Sequence, residues 1–548
     1  MRPTDAQHRD ALAHHADRLA RYLRGDFPVD SWRPVRLSYG LYYQLDHTSH
    51  MQRIKLPGGM MTADQVDVLA DVTDRYGRGI AHVTTRQDIQ IHWVPVAEIV
   101  DMYERLLAVG ITTRGACADT VRNVTGCPYA GVSPDEPFDV SPYILAIHEY
   151  FLFNPLNLTL PRKFKIAVEG CPLDCAQGPV NDIGLYAKVR DGRRGFAVYA
   201  GGGLGSQPYL AQPMTDFIPD EDALVWCEAI VRIQHRHGER KNRSRARMKY
   251  VVKRMGLEKF REAVRDEVAR VDAERGAELR SEIRESIGLY RVPAAAPPGA
   301  GVAARPGFEH WAATNTRPQA QAGFRTVLVQ LPLGDLTSDQ LRALAAIARR
   351  FGNGTMRATD DQNVVVPWVA EASVTAVHVA LADAELANPD VSTINDVVSC
   401  PGMDYCSLAI TRSMGMAERI RAHLLQDGEG FAARLGAFGV KISGCPNSCG
   451  QHHVGDVGLT GHTVTESDGV QRPYYSILVG GSVGEGRGRV GKRLGRYRED
   501  GASAAVAALA RFYERERTAG EAFPAFVDRI GMPRLAEIAQ AAAGPGAA

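Results

Sequence analysis

The residues best suited to chemistry are four cysteines in the C-terminal half: Cys400 and Cys406 in CPGMDYC, then Cys445 and Cys449 in GCPNSC. The C-x5-C and C-x3-C clips are separated by enough chain for a helix and a strand. Four thiolates can therefore converge on one soft metal centre. Tetrahedral zinc usually takes C-x2-C clips, whereas an iron–sulfur cluster held by four cysteines tolerates wider spacing. Cysteine is also buried simply as a small hydrophobe. Two clips bounded by Pro and Gly turns favour the ligand reading.

The elements that must position these clips are written twice. Residues 51–94 match residues 324–369: Leu56, Pro57, Gly59, Thr62, Gln65, Gly77, Thr84, Gln87 and Trp93 recur at Leu331, Pro332, Gly334, Thr337, Gln340, Gly352, Thr359, Gln362 and Trp368. Every pair is 275 apart (331 − 56, 368 − 93). Each copy reads strand, turn, amphipathic helix, strand. Downstream, Cys127 pairs with Cys400, and Cys171, Cys175, Asp182 and Gly184 pair with Cys445, Cys449, Asp456 and Gly458. The joint is a nearly uncharged Pro/Ala/Gly linker at 292–307. We expect an α+β protein, internally duplicated about a pseudo-twofold axis. Its parts are an N-terminal helical extension (1–34), a half-domain (35–110), a cationic lobe (111–291), the linker, a second half-domain (308–385), a cysteine-bearing lobe (386–535) and a flexible tail (536–548).

The copies differ where charge matters. Lys163 and Lys165 stand opposite Ala437 and Gly439, Arg53 opposite Leu328, Arg86 opposite Asp361, and Arg122 near Asp396 and Val397. One copy keeps the cations and the other all four cysteines, because nothing in the first copy pairs with Cys406. Each cation alone reads as a solvated surface charge. Their joint loss across the repeat points instead to one central crevice with a redox centre on one wall and positive charge on the other. Such a site suits an anionic substrate that accepts electrons.

Bulk properties narrow the setting. A chain of 548 residues exceeds one ordinary core. Hydrophobic and charged contents of 45% and 23% describe a soluble globular protein, and a net charge of +1 gives no global pull toward nucleic acid or membrane. The first 30 residues are charged throughout and read as no secretory signal, and no apolar run has spanning length. Nine cysteines are not a disulfide framework, so the expected home is a reducing cytoplasm, and the expected state a monomer.

LPGG at 56–59, TTRQ at 84–87, RNV at 122–124, LPRKFK at 160–165, both cysteine clips and the duplication together resemble the sirohaem-containing nitrite and sulfite reductase family, over roughly residues 35 to 530. The resemblance implies ferredoxin-like half-domains and two larger cofactor-binding lobes. It implies a [4Fe–4S] cluster on Cys400, Cys406, Cys445 and Cys449, with Cys449 also the axial ligand of sirohaem iron. Sirohaem carries eight carboxylates, and Arg86, Gln90, Arg162, Asn447, Arg247 and Lys249 are candidates to neutralise them. The bland reading of the basic stretch 240–249 is an exposed helical face. Arg53, Arg122, Lys163 and Lys165 match the family's substrate cations, which bind the oxyanion and deliver protons. Nitrite-type relatives tend to have Asn where Lys165 sits and sulfite-type relatives a second Lys, so six-electron reduction of sulfite to sulfide is the expected reaction. Nitrite to ammonia is the runner-up. A cobalamin-pathway monooxygenase relative and a non-catalytic iron–sulfur carrier are more distant alternatives.

Cys127, Cys171 and Cys175, with Cys117 as a distant fourth, are either vestigial thiols, the simpler reading, or an incomplete second cluster. Tyr42 and Cys117, if they meet near the iron, could crosslink, although a plain packed thiol is the simpler expectation. Gly486, Gly488 and Gly491 satisfy G-x-G-x-x-G, but a lone match is weak and its repeat partner lacks the spacing. Electrons are therefore expected from a separate ferredoxin or flavoprotein.

Overall fold

The computed structural model describes residues 3–46, 48–299, 301–425, 427–428 and 430–544. In each half-domain the signal that starts the central helix is a capping box. The Thr62 hydroxyl accepts from the Gln65 N–H while the Gln65 side chain returns to the Thr62 N–H, opening helix Ala63–Tyr76. Thr337 and Gln340 do the same for Ser338–Phe351. The apolar stripe Val66, Leu69, Ala70 and Thr73 is buried, and so is its repeat Leu341, Leu344, Ala345 and Ala348.

The two half-domains are not separate bodies. Strand Met60–Thr62 of the first copy pairs antiparallel with Thr355–Ala358 of the second, and Asp335–Thr337 of the second pairs with Ile80–Val83 of the first. Each five-stranded sheet is thus completed by the other copy, and one hydrophobic core runs through both. The two central helices lie against each other, with Arg342 on Asp71 and Asp74 at 2.9 and 2.6 Å and Arg349 on Asp64 at 2.6 Å. These exposed pairs fix register more than they add stability, since each contributes at most about 1 kcal/mol.

The larger lobes repeat one topology: two short parallel pairings followed by an antiparallel meander, on strands from Thr125–Gly126 to Gln212–Pro219 and from Val398–Ser399 to Lys492–Arg498. Each has its own core. The duplication extends to strained backbone: Gln87 and Gln362, Trp93 and Trp368, Asp174 and Ser448, and Gln177 and Gln451 all have positive φ. Gln177 Nε2 donates to Gln451 Oε1 at 2.6 Å, so residues related by the repeat meet each other where the two lobes join.

One expected boundary is wrong. The tail read from 536 onward is helical to Ala543, within Met532–Ala543, with Leu535 and Ala539 buried. Gly501 explains it: a Cβ there would lie 2.5 Å from the Ala543 carbonyl oxygen, so the alanine-rich end is a close helix–helix contact. Residues 545–548 lie outside the described residues. A 33-residue helix, Leu257–Leu289, backs the first lobe. None of the described helices is long and apolar enough to cross a membrane.

Candidate active site

The second clip is shaped by glycine. A Cβ on Gly450 would lie 1.9 Å from the Ile442 carbonyl oxygen and 3.2 Å from the Cys400 amide nitrogen. Its N–H donates to Ser443 Oγ at 3.1 Å. The clip is therefore pressed onto strand Val440–Ser443, beside the start of the first clip. Cys400 Sγ accepts from the Gly444 N–H at 3.2 Å, and burial, reinforced by the nearby Cys449 sulfur, pushes its thiol up to about 11. Burial also raises Cys406 and Cys445, and both feel Cys449 electrostatically. The four sulfurs interact electrostatically but are not gathered to single-ion spacing. Among the described residues the cysteine group within 4.8 Å is instead Cys127, Cys171 and Cys175. Wider separation is what a four-iron cluster needs. Gly450→Ala should cost about 1–3 kcal/mol through overpacking and lower iron per chain, read by thermal melting and iron analysis. Unchanged iron would show that the clip tolerates the shift.

Cys449 is exposed while its neighbours Ser448 and Gly450 are buried, so its sulfur can open onto the crevice between the lobes. Thr85 Oγ1 donates to the Cys449 carbonyl at 2.7 Å, tying the clip to the Thr84–Asp88 turn of the first half-domain. Cations occupy the opposite wall. Arg122 is fixed by the Ala118 and Ala116 carbonyls, at 2.7 and 3.3 Å. Arg86 donates to Asn181 Oδ1 at 2.9 Å and to the Asn123 carbonyl, and burial lowers it to about 10. Lys163 is brought down to about 7 by burial and by Arg122, and Lys165 well below the usual lysine range by burial and by Arg86 and Lys163. Both lysines lie within electrostatic reach of Cys449.

Of the residues expected to meet the macrocycle, several are already engaged. Arg247 forms a two-pronged pair with buried Asp182 at 3.2 and 2.8 Å. Lys249 donates to the Leu204 carbonyl at 2.8 Å. Arg162 pairs with Asp119 at 3.3 Å, and Asn447 is an exposed residue bonded to Cys445. The Gln90 amide oxygen, turned toward Arg53, accepts at 2.7 Å. The bland reading of 240–249 fails for its end, because Arg247 and Lys249 are both buried. In contrast, neither the Lys163 nor the Lys165 ammonium has a hydrogen-bond or ion-pair partner among the described residues, and Arg86 Nε is buried without one. Unneutralised cations facing an open thiol fit a polycarboxylate macrocycle with iron at its centre.

Two residues were missed. Lys55 is buried and lowered to about 7, and Asp88, buried among Arg53, Arg86 and Lys55, is raised to about 6 because burial outweighs their attraction. The signal was available: Lys55 stands opposite Gln330 and Asp88 opposite Asn363 across the repeat. Tyr42 and Cys117 do meet: the hydroxyl bonds the sulfur, and Arg53 Nη1 reaches the same sulfur at 3.5 Å.

Comparison with known proteins agrees with this geometry. The nitrite and sulphite reductase 4Fe-4S domain matches residues 117–271 and 390–544, and the nitrite/sulfite reductase ferredoxin-like half domain matches 43–109 and 317–384. The chain belongs to the nitrite and sulfite reductase family, an oxidoreductase family whose cofactors are sirohaem and a [4Fe–4S] cluster. It is 31% identical to the assimilatory ferredoxin-dependent nitrite reductase of Haloferax mediterranei, over 93% of this chain and 87% of the relative. It is 31% identical to the chloroplastic ferredoxin–nitrite reductase of Zea mays (82% and 76%), and 27% identical to sulfite reductase [ferredoxin] 1 of Mycolicibacterium paratuberculosis (88% and 83%). The fold matches that of the Mycobacterium tuberculosis NirA protein, with a TM-score of 0.79 at 24% identity over 96% and 97% of the two chains.

Proposed function

We propose that this chain carries out six-electron reduction of a small oxyanion supplied with electrons by a ferredoxin-type partner, and that nitrite to ammonia is the first reading. The observation behind the reductase assignment is the pair of unpartnered ammoniums on Lys163 and Lys165 facing Cys449. Nitrite takes first place over the sulfite expected from sequence because the relatives named nitrite reductases are the more similar ones. Sulfite to sulfide is the second reading, and one residue favours it. Lys165 adds a charge that a doubly charged oxyanion needs more than a singly charged one.

When bound, the cluster held by Cys400, Cys406, Cys445 and Cys449 and the sirohaem would supply the electrons for reduction. The chain's own residues hold and protonate the substrate. Arg53 and Arg122 are anchored at their guanidinium edges and offer fixed positive charge, while arginine does not release protons. Lys163, its proton affinity lowered toward neutrality by burial and by Arg122, is suited to give a proton to the bound oxyanion. Reduced-dye turnover of nitrite and sulfite in parallel tests the reading; turnover of neither would overturn it.

Electrons should not come from a nicotinamide nucleotide. The glycines at 486–491 lead into strand Lys492–Arg498, whereas a dinucleotide fingerprint opens a helix. The purified chain with NADPH alone should give no turnover above background, and reduced ferredoxin should restore it. Turnover on NADPH alone would revive the loop as a cofactor site.

A further inference from the structure

The first copy's cysteines have a geometry of their own. Cys127 Sγ lies 3.4 Å from Cys171 Sγ, Cys171 Sγ lies 3.9 Å from Cys175 Sγ, and all three fall within 4.8 Å of one another. A tetrahedral zinc ion with Zn–S bonds of about 2.3 Å sets its sulfurs about 3.8 Å apart. A cubane must seat its ligands around a body of four irons, so it needs them wider apart. The trio also lacks a counterpart of Cys406.

A second feature does not follow from thiols surviving by descent. In the second copy the Ser443 hydroxyl accepts from the Gly450 N–H. At the same place in the first copy, Glu169 accepts from the Ala176 N–H. Only one oxygen is needed for that bond. Glu169 is 1% exposed, and its Oε2 is buried with no partner, within electrostatic reach of Cys171. The Glu136 carboxyl, also near Cys171, has a buried oxygen in the same condition. Surplus buried carboxyl beside three thiols must either keep a proton or be joined by a cation.

The surroundings supply an entrance. Cys175 lines a cavity of about 400 Å³, walled also by Asp174, Asp360, Asp361 and Asp396. This is the repeat-related mate of the reaction crevice, and Asp361 stands in it where the first copy has Arg86. Its wall carries five aspartates against two cations, so acids predominate, although Lys441 pairs with Asp361 at 2.7 Å.

We propose that Cys127, Cys171 and Cys175 hold a single zinc-class divalent ion, its fourth position taken by water from the acidic cavity or by the Glu169 carboxylate. Binding exchanges thiol protons for the metal and involves no electron transfer. The ion would lock the Cys171–Cys175 clip onto the strand that carries Glu169, doing for the first lobe what the cluster does for the second.

The test is metal analysis of the holoenzyme from zinc-supplemented culture, after gel filtration with a weak chelator. About one zinc per chain in addition to the iron is expected, with zinc-edge X-ray absorption fitting three sulfurs near 2.3 Å and one lighter ligand. Cys175→Ser should lose the zinc and keep the iron. Glu169→Ser copies the residue used in the other lobe, so it should fold; zinc affinity should fall about tenfold or more, with iron unchanged. Zinc-free protein, zinc bound without sulfur ligands, or a disulfide within the trio would each overturn the proposal. Loss of iron in Cys175→Ser would overturn it in favour of a second cluster.

Discussion

Replacing Cys449 by serine is expected to reduce turnover of either oxyanion to background, a loss of at least about a thousandfold, as when a residue is removed without which the reacting unit does not assemble. A neutral hydroxyl is a poor ligand for iron, and Cys449 is the one exposed cysteine of the four, within electrostatic reach of Arg53, Lys163 and Lys165. Iron content and visible absorbance should therefore change together. The repeat-related replacement, Cys175→Ser, should leave iron, sirohaem bands and activity near wild type. A Cys449 variant with undisturbed sirohaem absorbance would remove this cysteine from the reaction centre.

Lys165→Asn should separate the two substrates. On the proposed reading both oxyanions draw on Arg53, Arg122 and Lys163, but sulfite carries more negative charge and sheds three oxygens, each requiring protons. The change removes one charge and one proton donor, and leaves an amide that still hydrogen-bonds nitrite. A lost charge-assisted contact costs about 1.5–3 kcal/mol, so kcat/KM for sulfite should fall roughly ten- to a hundredfold. For nitrite it should change little or improve. Equal losses on both would mean that Lys165 serves the macrocycle or the fold.

Much of this was legible before any coordinates. The constant offset of 275, the paired cysteines and the capping residues Thr62 and Thr337 determine a duplicated α+β chain, because capping and hydrophobic period are local and act within a few residues. Comparing the copies picks out Arg53, Arg86, Arg122, Lys163 and Lys165 because a charge lost from one copy alone is visible in the letters. The same comparison held Lys55 and Asp88, whose importance rests on burial that no single position discloses.

Tertiary structure decided what depends on pairing across the axis. The exchange of strands Met60–Thr62 and Asp335–Thr337 has no sequence signature, since either strand could pair within its own copy. Which cations stay unpartnered was decided by acids distant in sequence: Asp182 claims Arg247 and Asp119 claims Arg162, while Lys163 and Lys165 are left to the crevice. The alanine-rich C-terminus reads as a frayed end in one dimension and is a helix because Gly501 admits it. The same holds for the cysteines. Their spacing allows either copy to bind metal, but only the distances between sulfurs bring Cys127, Cys171 and Cys175 to single-ion spacing, because ligand separation is a property of the folded strands and not of the intervals between letters.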